Sequence, residues 1–268
     1  MCVLAVVFQS CKKEEPGTLK GEFSVSQTQK VKFSSGNLQY DVTANVWQFA
    51  DHQWDVLGSK NNALDDEEEN FKGVIDLFSF GSADNATLND GEKHEFTEWG
   101  KNPIVNAANE PNEWRTLTAK EVEYLIRERP NALSLFFLAT VGEVKGMVIL
   151  PDNFENKDSV KLYVMKESDY DNRFSAVDFA NGDSLLLANK YSIEEFTKLE
   201  QGGAVFLPFG GQKFLKVEDN KEGDYWCIAD KDINDGSTLS VTIYSAWPNR
   251  GCNPERFRNS VRLVKDVK

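Results

Sequence analysis

The chain has 268 residues, of which 40% are hydrophobic and 12% aromatic, a composition that supports a folded core and excludes an intrinsically disordered chain. Its 30 Lys and Arg residues are outnumbered by 43 Asp and Glu residues, which gives a net charge of −13. Binding to nucleic acid requires clustered basic residues, and because no basic stripe occurs in this sequence, a nucleic-acid partner is excluded.

The N-terminal residues resemble a shortened secretory signal. The apolar run Val3 to Phe8 is followed by two polar residues and a single cysteine, Cys11, as in the lipobox of bacterial lipoproteins. We therefore expect residues 1–11 to be a lipoprotein signal, truncated at its start, with Cys11 lipidated; the alternative is a short buried strand. Residues 12–22 then form a tether to a single domain over residues 23–268. No other segment approaches the ~18 consecutive apolar residues of a membrane-spanning helix.

The first half of the domain shows the residue alternation of β-strands. Alternating apolar residues predict strands at Phe23 to Ser26, Lys30 to Tyr40 and Val46 to Ala50. Ser35-Gly36-Asn37 predicts a bulge or turn inside the second of these. Residues 58–110 are polar and acidic apart from an apolar patch at Val74 to Phe80, and they predict long loops around one strand.

Two helices are predicted from capping boxes, in which a Ser or Thr and a Glu three residues later cap each other's backbone groups. The first begins at Thr118 and stops at Pro130, and the second begins at Ser192 and ends at Gly202. Further strand-like runs lie at Leu133 to Val141, Lys145 to Leu150, Ala204 to Leu207, Tyr225 to Ala229, Leu239 to Ser245 and Phe257 to Val264. The chain is therefore predicted to be a single α+β domain with mixed or antiparallel sheets, two short helices and long loops.

Cys227 and Cys252 are the two cysteines that follow the predicted signal. In an exported protein, two cysteines 25 positions apart favour a disulfide, and two free buried thiols are the main alternative. Zinc binding has less support, because two thiols without a nearby histidine make an incomplete ligand set.

Several strings of the sequence together resemble one protein family. They are FSSGNLQY (Phe33 to Tyr40), WQFADHQWDVLG (Trp47 to Gly58), WRTLTAKEVEYLI (Trp114 to Ile126), MVILPDNF (Met147 to Phe154), GGAVFLPFGG (Gly202 to Gly211) and SVRLV (Ser260 to Val264). As an ordered set they are similar to Bacteroidetes surface lipoproteins that carry the Fibrobacter succinogenes major paralogous domain. The acidic Glu14 and Glu15 after Cys11 also resemble the surface-export signal of lipoproteins in this group.

The resemblance implies a C-type-lectin-like fold, shared with formylglycine-generating enzymes and with the variable proteins of diversity-generating retroelements. In that fold the C-terminal strands and their loops display the ligand-binding surface. Tyr225 and Trp226 match the family's Tyr and Trp before the display loops. Tyr244 to Pro248, with Asn249 and Arg250, match its exposed stretch ahead of the final strand.

Two positions depart from the family's pattern. Cys227 stands where the family usually has Ser, and Asn259 stands where Gly usually precedes SVRLV. These departures leave the expected fold in place and make the identity of the family's ligand less transferable to this chain.

The segment Trp247 to Arg258 predicts a binding face by its own composition. An aromatic platform, side-chain amides and fork-shaped arginine donors are combined in a loop that contains Pro and Gly. The contributing residues are Trp247, Asn249, Arg250, Asn253, Arg256 and Arg258. Alternatively, Trp226 and Trp247 are core residues and the arginines pair with this acidic chain. Three arginines within nine positions would suit an acidic glycan or protein as the ligand.

Enzyme chemistry has little support in the sequence. His52 and His94 are the only histidines, no G-x-S-x-G motif occurs, and both histidines are predicted at the surface. Formylglycine-generating enzymes use two closely spaced cysteines, whereas Cys227 and Cys252 are 25 positions apart.

Two segments rich in oxygen ligands are candidate calcium sites. Glu110-Pro111-Asn112 spells the calcium motif of mannose-type C-type lectins, but it lies ahead of the first helix rather than in a late loop. The run Asp230 to Gly236 alternates oxygen ligands, but its glycine falls one position late for an EF-hand and no Glu closes the loop. It therefore predicts an Asx-rich turn.

Taken together, these features predict a lipid-anchored protein of the outer membrane, displayed at the cell surface. Its one C-type-lectin-like domain is expected to bind an extracellular glycan or protein, as an adhesin or recognition module. No catalysis, cofactor or metal is expected. Two alternatives stay open: an enzyme related to the formylglycine-generating group, and a structural subunit of a surface appendage.

Overall fold

The computed structural model describes residues 15–57, 72–88, 91–107, 110–164, 170–171, 176–179, 181–212 and 222–268. Within these ranges the chain is a mixed α+β structure, with mostly antiparallel sheets and three short α-helices. The predicted α+β class is confirmed, with one more helix than the sequence indicated. Cys11 and the whole predicted lipoprotein signal lie outside the described residues.

The described residues contain seventeen strands. They are β1 (Phe23–Ser24), β2 (Lys30–Phe33), β3 (Leu38–Asp41), β4 (Val46–Phe49), β5 (Val74–Ile75), β6 (Phe78–Ser79), β7 (Phe136–Val141), β8 (Val144–Ile149), β9 (Tyr170–Asp171), β10 (Val177–Phe179), β11 (Lys190–Tyr191), β12 (Val205–Pro208), β13 (Glu222–Ile228), β14 (Gly236–Thr242), β15 (Ser245–Gly251), β16 (Arg258–Asn259) and β17 (Val264–Asp266). The α-helices are α1 (Ala119–Glu123), α2 (Gly182–Ala188) and α3 (Ile193–Gln201). Tyr124–Glu128 extends α1 with wider, π-helical turns.

These strands form five sheets in the described part of the chain. The largest has the order β13-β14-β15-β10-β9, and a second has the order β11-β7-β8-β12. Three smaller sheets have the orders β1-β2-β17, β4-β3-β5 and β16-β6. β11 pairs with β7 in parallel, and the other named strand pairs are antiparallel. The first and last strands therefore share one sheet.

The predicted interruption of the second strand is confirmed, since β2 and β3 are separated at Ser34 to Asn37. The Ser34 hydroxyl donates to the carbonyl of Gly36 at 2.8 Å, which holds the turn. A Cβ at Gly36 would lie 2.4 Å from the carbonyl oxygen of Ala50. Glycine is therefore required here for the close approach of two backbone segments.

Both predicted capping boxes are present and start α1 and α3. The Thr118 hydroxyl accepts from the amide of Glu121 at 3.2 Å, and the Glu121 carboxylate accepts from the amide of Thr118 at 2.8 Å. Ser192 and Glu195 repeat this arrangement at α3. The sequence did not indicate α2, and Asn181 at its start makes no side-chain cap. No helix in the described ranges has the length and apolar character needed to cross a membrane.

The C-terminal region departs from prediction at β15. The stretch from Trp247 to Gly251 was expected to be loop and is strand, because β14 supplies backbone partners along its length. The register shifts between Thr238 and Ser240, and this bulge accommodates Pro248, which has no amide hydrogen to donate. The run from Phe257 to Val264, expected as one strand, contains only β16 and the start of β17.

Three apolar clusters fill the interior of the described part of the chain, and β13 separates two of them. Tyr225 and Leu239 belong to the main cluster, which includes residues of α1 and the two larger sheets. Trp114 and Trp226 belong to a second group, the aromatic cluster. The third cluster packs β7, β8 and β12 against Phe196 of α3. Because successive residues of a strand face opposite sides, β13 is covered on both faces.

Candidate functional site

The residues that the sequence predicts as a binding site lie on or near three neighbouring strands, β13, β14 and β15. Asp224 on β13 is opposite Ser240 on β14, and Ser240 is opposite Trp247 on β15. Thr238, two positions before Ser240, is opposite Arg250. Because Thr238 and Ser240 are alternate residues of one strand, their partners Trp247 and Arg250 lie on one face of the sheet.

Three of the predicted binding residues are buried. Tyr225, Trp226 and Arg258 are 4%, 3% and 4% exposed. The Tyr225 hydroxyl donates to the carbonyl of Pro208 at 2.7 Å, and Nε1 of Trp226 donates to the carbonyl of Phe78 at 2.7 Å. The expectation that these three residues form an exposed binding face is therefore corrected. They belong to the interior because β13 and β16 are covered by other parts of the fold.

The remaining predicted residues reach solvent, and we name them the β15 surface: Tyr244, Trp247, Asn249, Arg250, Asn253 and Arg256. Tyr244 is 72% exposed at the turn between β14 and β15. Trp247 is half-buried, and its Nε1 donates to the hydroxyl of Ser245 at 2.8 Å. This hydrogen bond fixes the orientation of the indole ring.

Ser240 connects the β15 surface to a buried carboxyl group. Nη1 of Arg250 donates to Oγ of Ser240 at 3.0 Å, and Ser240 hydrogen-bonds to the carboxyl of Asp224. Asp224 is 2% exposed, and its Oδ2 has no hydrogen-bond partner among the described residues. Trp247 and Arg250 therefore both adjoin Ser240, which in turn hydrogen-bonds to the buried carboxyl of Asp224.

The electrostatics of Asp224 follow from its burial. Burial, and next the negative charge of Glu222, raise the pKa of Asp224 to about 7, and Ser240 and Arg250 oppose this only in part. The exposed Arg250 therefore lies near an acid that titrates around neutral pH. Neither Asp224 nor Ser240 was identified from the sequence, although a charged residue directly ahead of the apolar run Tyr225 to Ala229 was an available signal.

A cleft of about 490 Å³ opens at the end of β15. Asn249, Cys252 and Asn253 line one side, and the loop between β13 and β14 lines the other. Asn249 accepts a hydrogen bond from the hydroxyl of Ser237 at 2.7 Å. The β15 surface thus has two parts: Trp247 and Arg250 on one face of the sheet, and the amides of Asn249 and Asn253 at the cleft.

The oxygen-rich run Asp230 to Gly236 contains the Asx turn that its sequence predicts. The Asn234 amide donates to Oδ1 of Asp232 at 2.9 Å. Nζ of Lys93 lies 2.6 Å from Oδ1 of Asp235, so this carboxylate is already paired. Across the described ranges, no group of three or more His, Cys, Asp or Glu side chains is arranged to hold a metal ion.

The disulfide predicted between Cys227 and Cys252 is not formed in the structure, where both are free thiols. Cys227 is opposite Ser237, and Ser237 is opposite Gly251, the residue before Cys252. Two strand spacings, about 10 Å, therefore separate the cysteines, whereas a disulfide requires Cα atoms within about 7 Å. Burial raises the pKa of Cys227 to about 12 and that of Cys252 to about 11, so both are protonated at neutral pH.

The two histidines lie at the surface, as their sequence context predicts. His52 is exposed and stacks on Trp54, with ring centroids 4.9 Å apart. His94 is also exposed.

Comparison with known proteins gives no relative. No family model, no curated protein and no solved structure matches this chain.

Proposed function

We propose that this chain is the recognition domain of a surface lipoprotein, anchored to the outer membrane through Cys11, with a C-type-lectin-like fold. In this proposal it binds an extracellular acidic glycan or an acidic protein segment through the β15 surface. The observation that carries the proposal is the placement of Trp247 and Arg250 on one face of β15, where both side chains reach solvent and both adjoin the buried Ser240.

The chemistry of these side chains suits a ligand with a flat apolar face and an anionic group. Trp247 offers an indole face of fixed orientation, because its Nε1 is bonded to Ser245. Arg250 uses Nη1 for Ser240, which leaves further N–H donors on the exposed guanidinium for a carboxylate or sulfate. Tyr244, 72% exposed, extends this surface at the strand turn. Trp, Tyr and Arg are the residue types that contribute most of the binding energy at interfaces.

The net charge of the chain makes this surface selective. A chain of net charge −13 repels anionic ligands over most of its surface, since like charges oppose association. Arg250 and Arg256 are exposed cations within the β15 surface. An anionic ligand is therefore expected to be attracted here more than elsewhere, and its affinity is expected to fall with rising salt.

Assembly by addition of a strand at β13 has less support, because the outer edge of β13 is occupied. The amide of Trp226 donates to the carbonyl of Ser260 at 2.9 Å, and the amide of Ser260 donates to the carbonyl of Asp224 at 2.9 Å. An enzyme related to the formylglycine-generating group would use a pair of adjacent thiols, and Cys227 and Cys252 pack in different clusters. A recognition role therefore accounts for more of the described features.

The proposal is tested by screening the full chain against an array of acidic and neutral glycans and of host glycoproteins, with calcium and with chelator. The variant carrying Trp247→Ala and Arg250→Ala is screened in parallel, and Arg127→Ala, which removes an arginine from the helical extension of α1, is the matched control. We expect acidic ligands to bind to the wild type and the control and to be lost in the double variant. No binding by the wild type, or equal binding by the double variant, would contradict the proposal.

A further inference from the structure

A second cleft, of about 500 Å³, lies away from the β15 surface, beside the hairpin of β3 and β4. Tyr40 and Trp47 form its aromatic wall, with ring centroids 4.9 Å apart and planes inclined by 54°. Trp47 is 7% exposed and also packs against Phe78, with ring centroids 5.2 Å apart. The wall is therefore fixed, and the volume lies in the range of small-molecule sites, roughly 300–1,000 Å³. We name this feature the Trp47 cleft.

Three side-chain amides surround the Trp47 cleft, and each uses one end to hold its own segment. Oδ1 of Asn45 accepts from the Tyr40 hydroxyl, and Oδ1 of Asn85 accepts from the Thr87 hydroxyl at 3.1 Å. Nδ2 of Asn102 donates to the carbonyl of Ala83 at 2.9 Å.

The opposite ends of these amides, two NH₂ groups and one carbonyl oxygen, have no hydrogen-bond partner among the described residues. The free NH₂ groups belong to Asn45 and Asn85, and the free carbonyl oxygen belongs to Asn102. The cleft thus presents pre-positioned donors and an acceptor next to an aromatic wall. Because the engaged ends already fix the amides, a ligand does not have to order them on binding.

The lining of the Trp47 cleft is electrically neutral. Asp84 is the one charged residue among its described lining residues, and Nζ of Lys101 lies 2.5 Å from Oδ1 of Asp84. The hydrogen bond from Lys101 is the main cause that lowers the pKa of Asp84, so the pair is ionised and mutually compensated. A charged ligand would find no unpaired counter-charge in this lining.

We propose that the Trp47 cleft is a second ligand site that takes a neutral saccharide. A sugar ring presents C–H groups that pack on an aromatic face and hydroxyl groups that both donate and accept hydrogen bonds. The partly exposed ring of Tyr40, which packs against the buried Trp47, matches the first feature, and the amides of Asn45, Asn85 and Asn102 match the second. The site differs from the β15 surface, where the exposed arginines favour an anionic ligand.

The test uses Asn45→Asp and Asn85→Asp, which keep the oxygen that accepts from Tyr40 or Thr87 and remove the NH₂ donor. Asn131→Asp is the matched control, because Asn131 is exposed, lies outside the cleft and shares the left-handed backbone of Asn45, with φ of 60° against 56°. The full chain is screened against neutral gluco-, manno-, galacto- and xylo-oligosaccharides. The affinity for the strongest binder is then measured by calorimetry, and circular dichroism verifies the fold of each variant.

We expect each cleft variant to bind the neutral oligosaccharide about three- to tenfold more weakly than the wild type, the effect of losing one hydrogen bond, and Asn131→Asp to bind normally. The Trp247→Ala and Arg250→Ala double variant is expected to retain this binding, which separates this proposal from that for the β15 surface. The proposal is overturned if the wild type binds none of these oligosaccharides. It is equally overturned if the cleft variants bind as the wild type does, or if only the double variant loses binding.

Discussion

Arg262 donates a hydrogen bond through Nη2 to Oε1 of Gln53 at 2.8 Å, across 209 positions of sequence. Its Nη1 donates to Oδ1 of Asn37 at 3.2 Å, and the same Gln53 oxygen accepts from the amide of Phe206 at 2.7 Å. Burial lowers the pKa of Arg262 to about 10, so the guanidinium is still charged at neutral pH. Asn37, Gln53 and Arg262 come from three of the strings that carry the family resemblance, and these strings meet at one point in the interior.

The first prediction concerns the stability that this network supplies. Arg262→Met leaves the side-chain oxygens of Asn37 and Gln53 buried with fewer donors, and we expect the free energy of unfolding to fall by about 3 kcal/mol. Urea denaturation measures the change. The control is Arg127→Met, which breaks a partly exposed pair with Glu123 and is expected to cost about 0.5 kcal/mol. Equal losses in the two variants would show that the network contributes nothing specific.

The second prediction concerns the pH dependence of stability at Asp224. Its pKa is raised from 3.8 to about 7 in the folded chain. At pH values between these two pKa values, the folded state therefore binds the proton more tightly than the unfolded state does. This group's contribution to the free energy of unfolding therefore falls as pH rises through that interval, and the whole penalty is present above about pH 7. Asp224→Asn removes the penalty.

We accordingly expect Asp224→Asn to raise Tm above that of the wild type at about pH 8, and the difference to shrink towards about pH 5. Asp158→Asn, at an exposed position, controls for the loss of one negative charge. Thermal melts followed by circular dichroism at several pH values measure the effect. A difference between Asp224→Asn and the wild type that stays constant over this range would refute the buried-acid interpretation.

Trp226 and Trp247 are both predicted from the sequence as binding residues, and the third prediction distinguishes them. Trp226 is 3% exposed within the aromatic cluster, so Trp226→Ala is expected to lower the free energy of unfolding by about 3–5 kcal/mol. Trp247 is half-buried at the β15 surface, and Trp247→Ala is expected to cost about 1 kcal/mol and to remove ligand binding. Denaturation and array binding of both variants check this. A large loss of stability in Trp247→Ala would instead mark that residue as part of the core.

The fourth prediction concerns the support of the turn that carries Tyr244. A Cβ at Gly182, the first residue of α2, would lie 1.6 Å from the carbonyl oxygen of Ile243, whereas a Cβ at Gly251 would meet no atom of the described residues within 4 Å. We expect Gly182→Ala to lower the free energy of unfolding by about 2 kcal/mol or more, because the backbone of α2 or of Ile243 would have to move. We expect Gly251→Ala to be tolerated. Thermal melts of both variants measure the two Tm values. Similar Tm values would mean that α2 does not press against this turn.

The fifth prediction concerns the thiols. We expect both Cys227 and Cys252 to be free thiols. Alkylation under denaturing conditions without reductant, followed by peptide mapping, checks this. Under native conditions Cys252, which is partly exposed, is expected to react slowly, and Cys227, which is buried, only when the chain unfolds. A peptide linking the two cysteines would contradict the structure.

Local signals in the sequence predicted the two capped helices, since a capping box involves only four consecutive residues. The strand β15 could not be predicted in this way. Pro248 and Asn249 disfavour strand conformation locally, and pairing with β14 across the hairpin overrides this preference. The break between β2 and β3 was predictable, because Gly36 and its polar neighbours interrupt the alternation.

The site was predicted only in part, for a related reason. Residue type distinguishes aromatic and arginine side chains from others but does not determine which face of a strand is covered. Trp226 and Arg258 are buried because the aromatic cluster and β6 lie over them, and these contacts join residues distant in sequence. The Trp47 cleft depends on Asn45, Asn85 and Asn102, which come from three separate segments, so no motif marks it.

The pairing of β17 with β2 brings the beginning and the end of the described chain together. The carboxylate of Glu15 lies 3.7 Å from Nζ of Lys265, and Thr18 forms a β-bridge with Ser34 in the same region. Closely spaced ends permit circular permutation. A short linker between them, with new ends opened at the turn of Gly142 between β7 and β8, should give a chain of different order and the same fold.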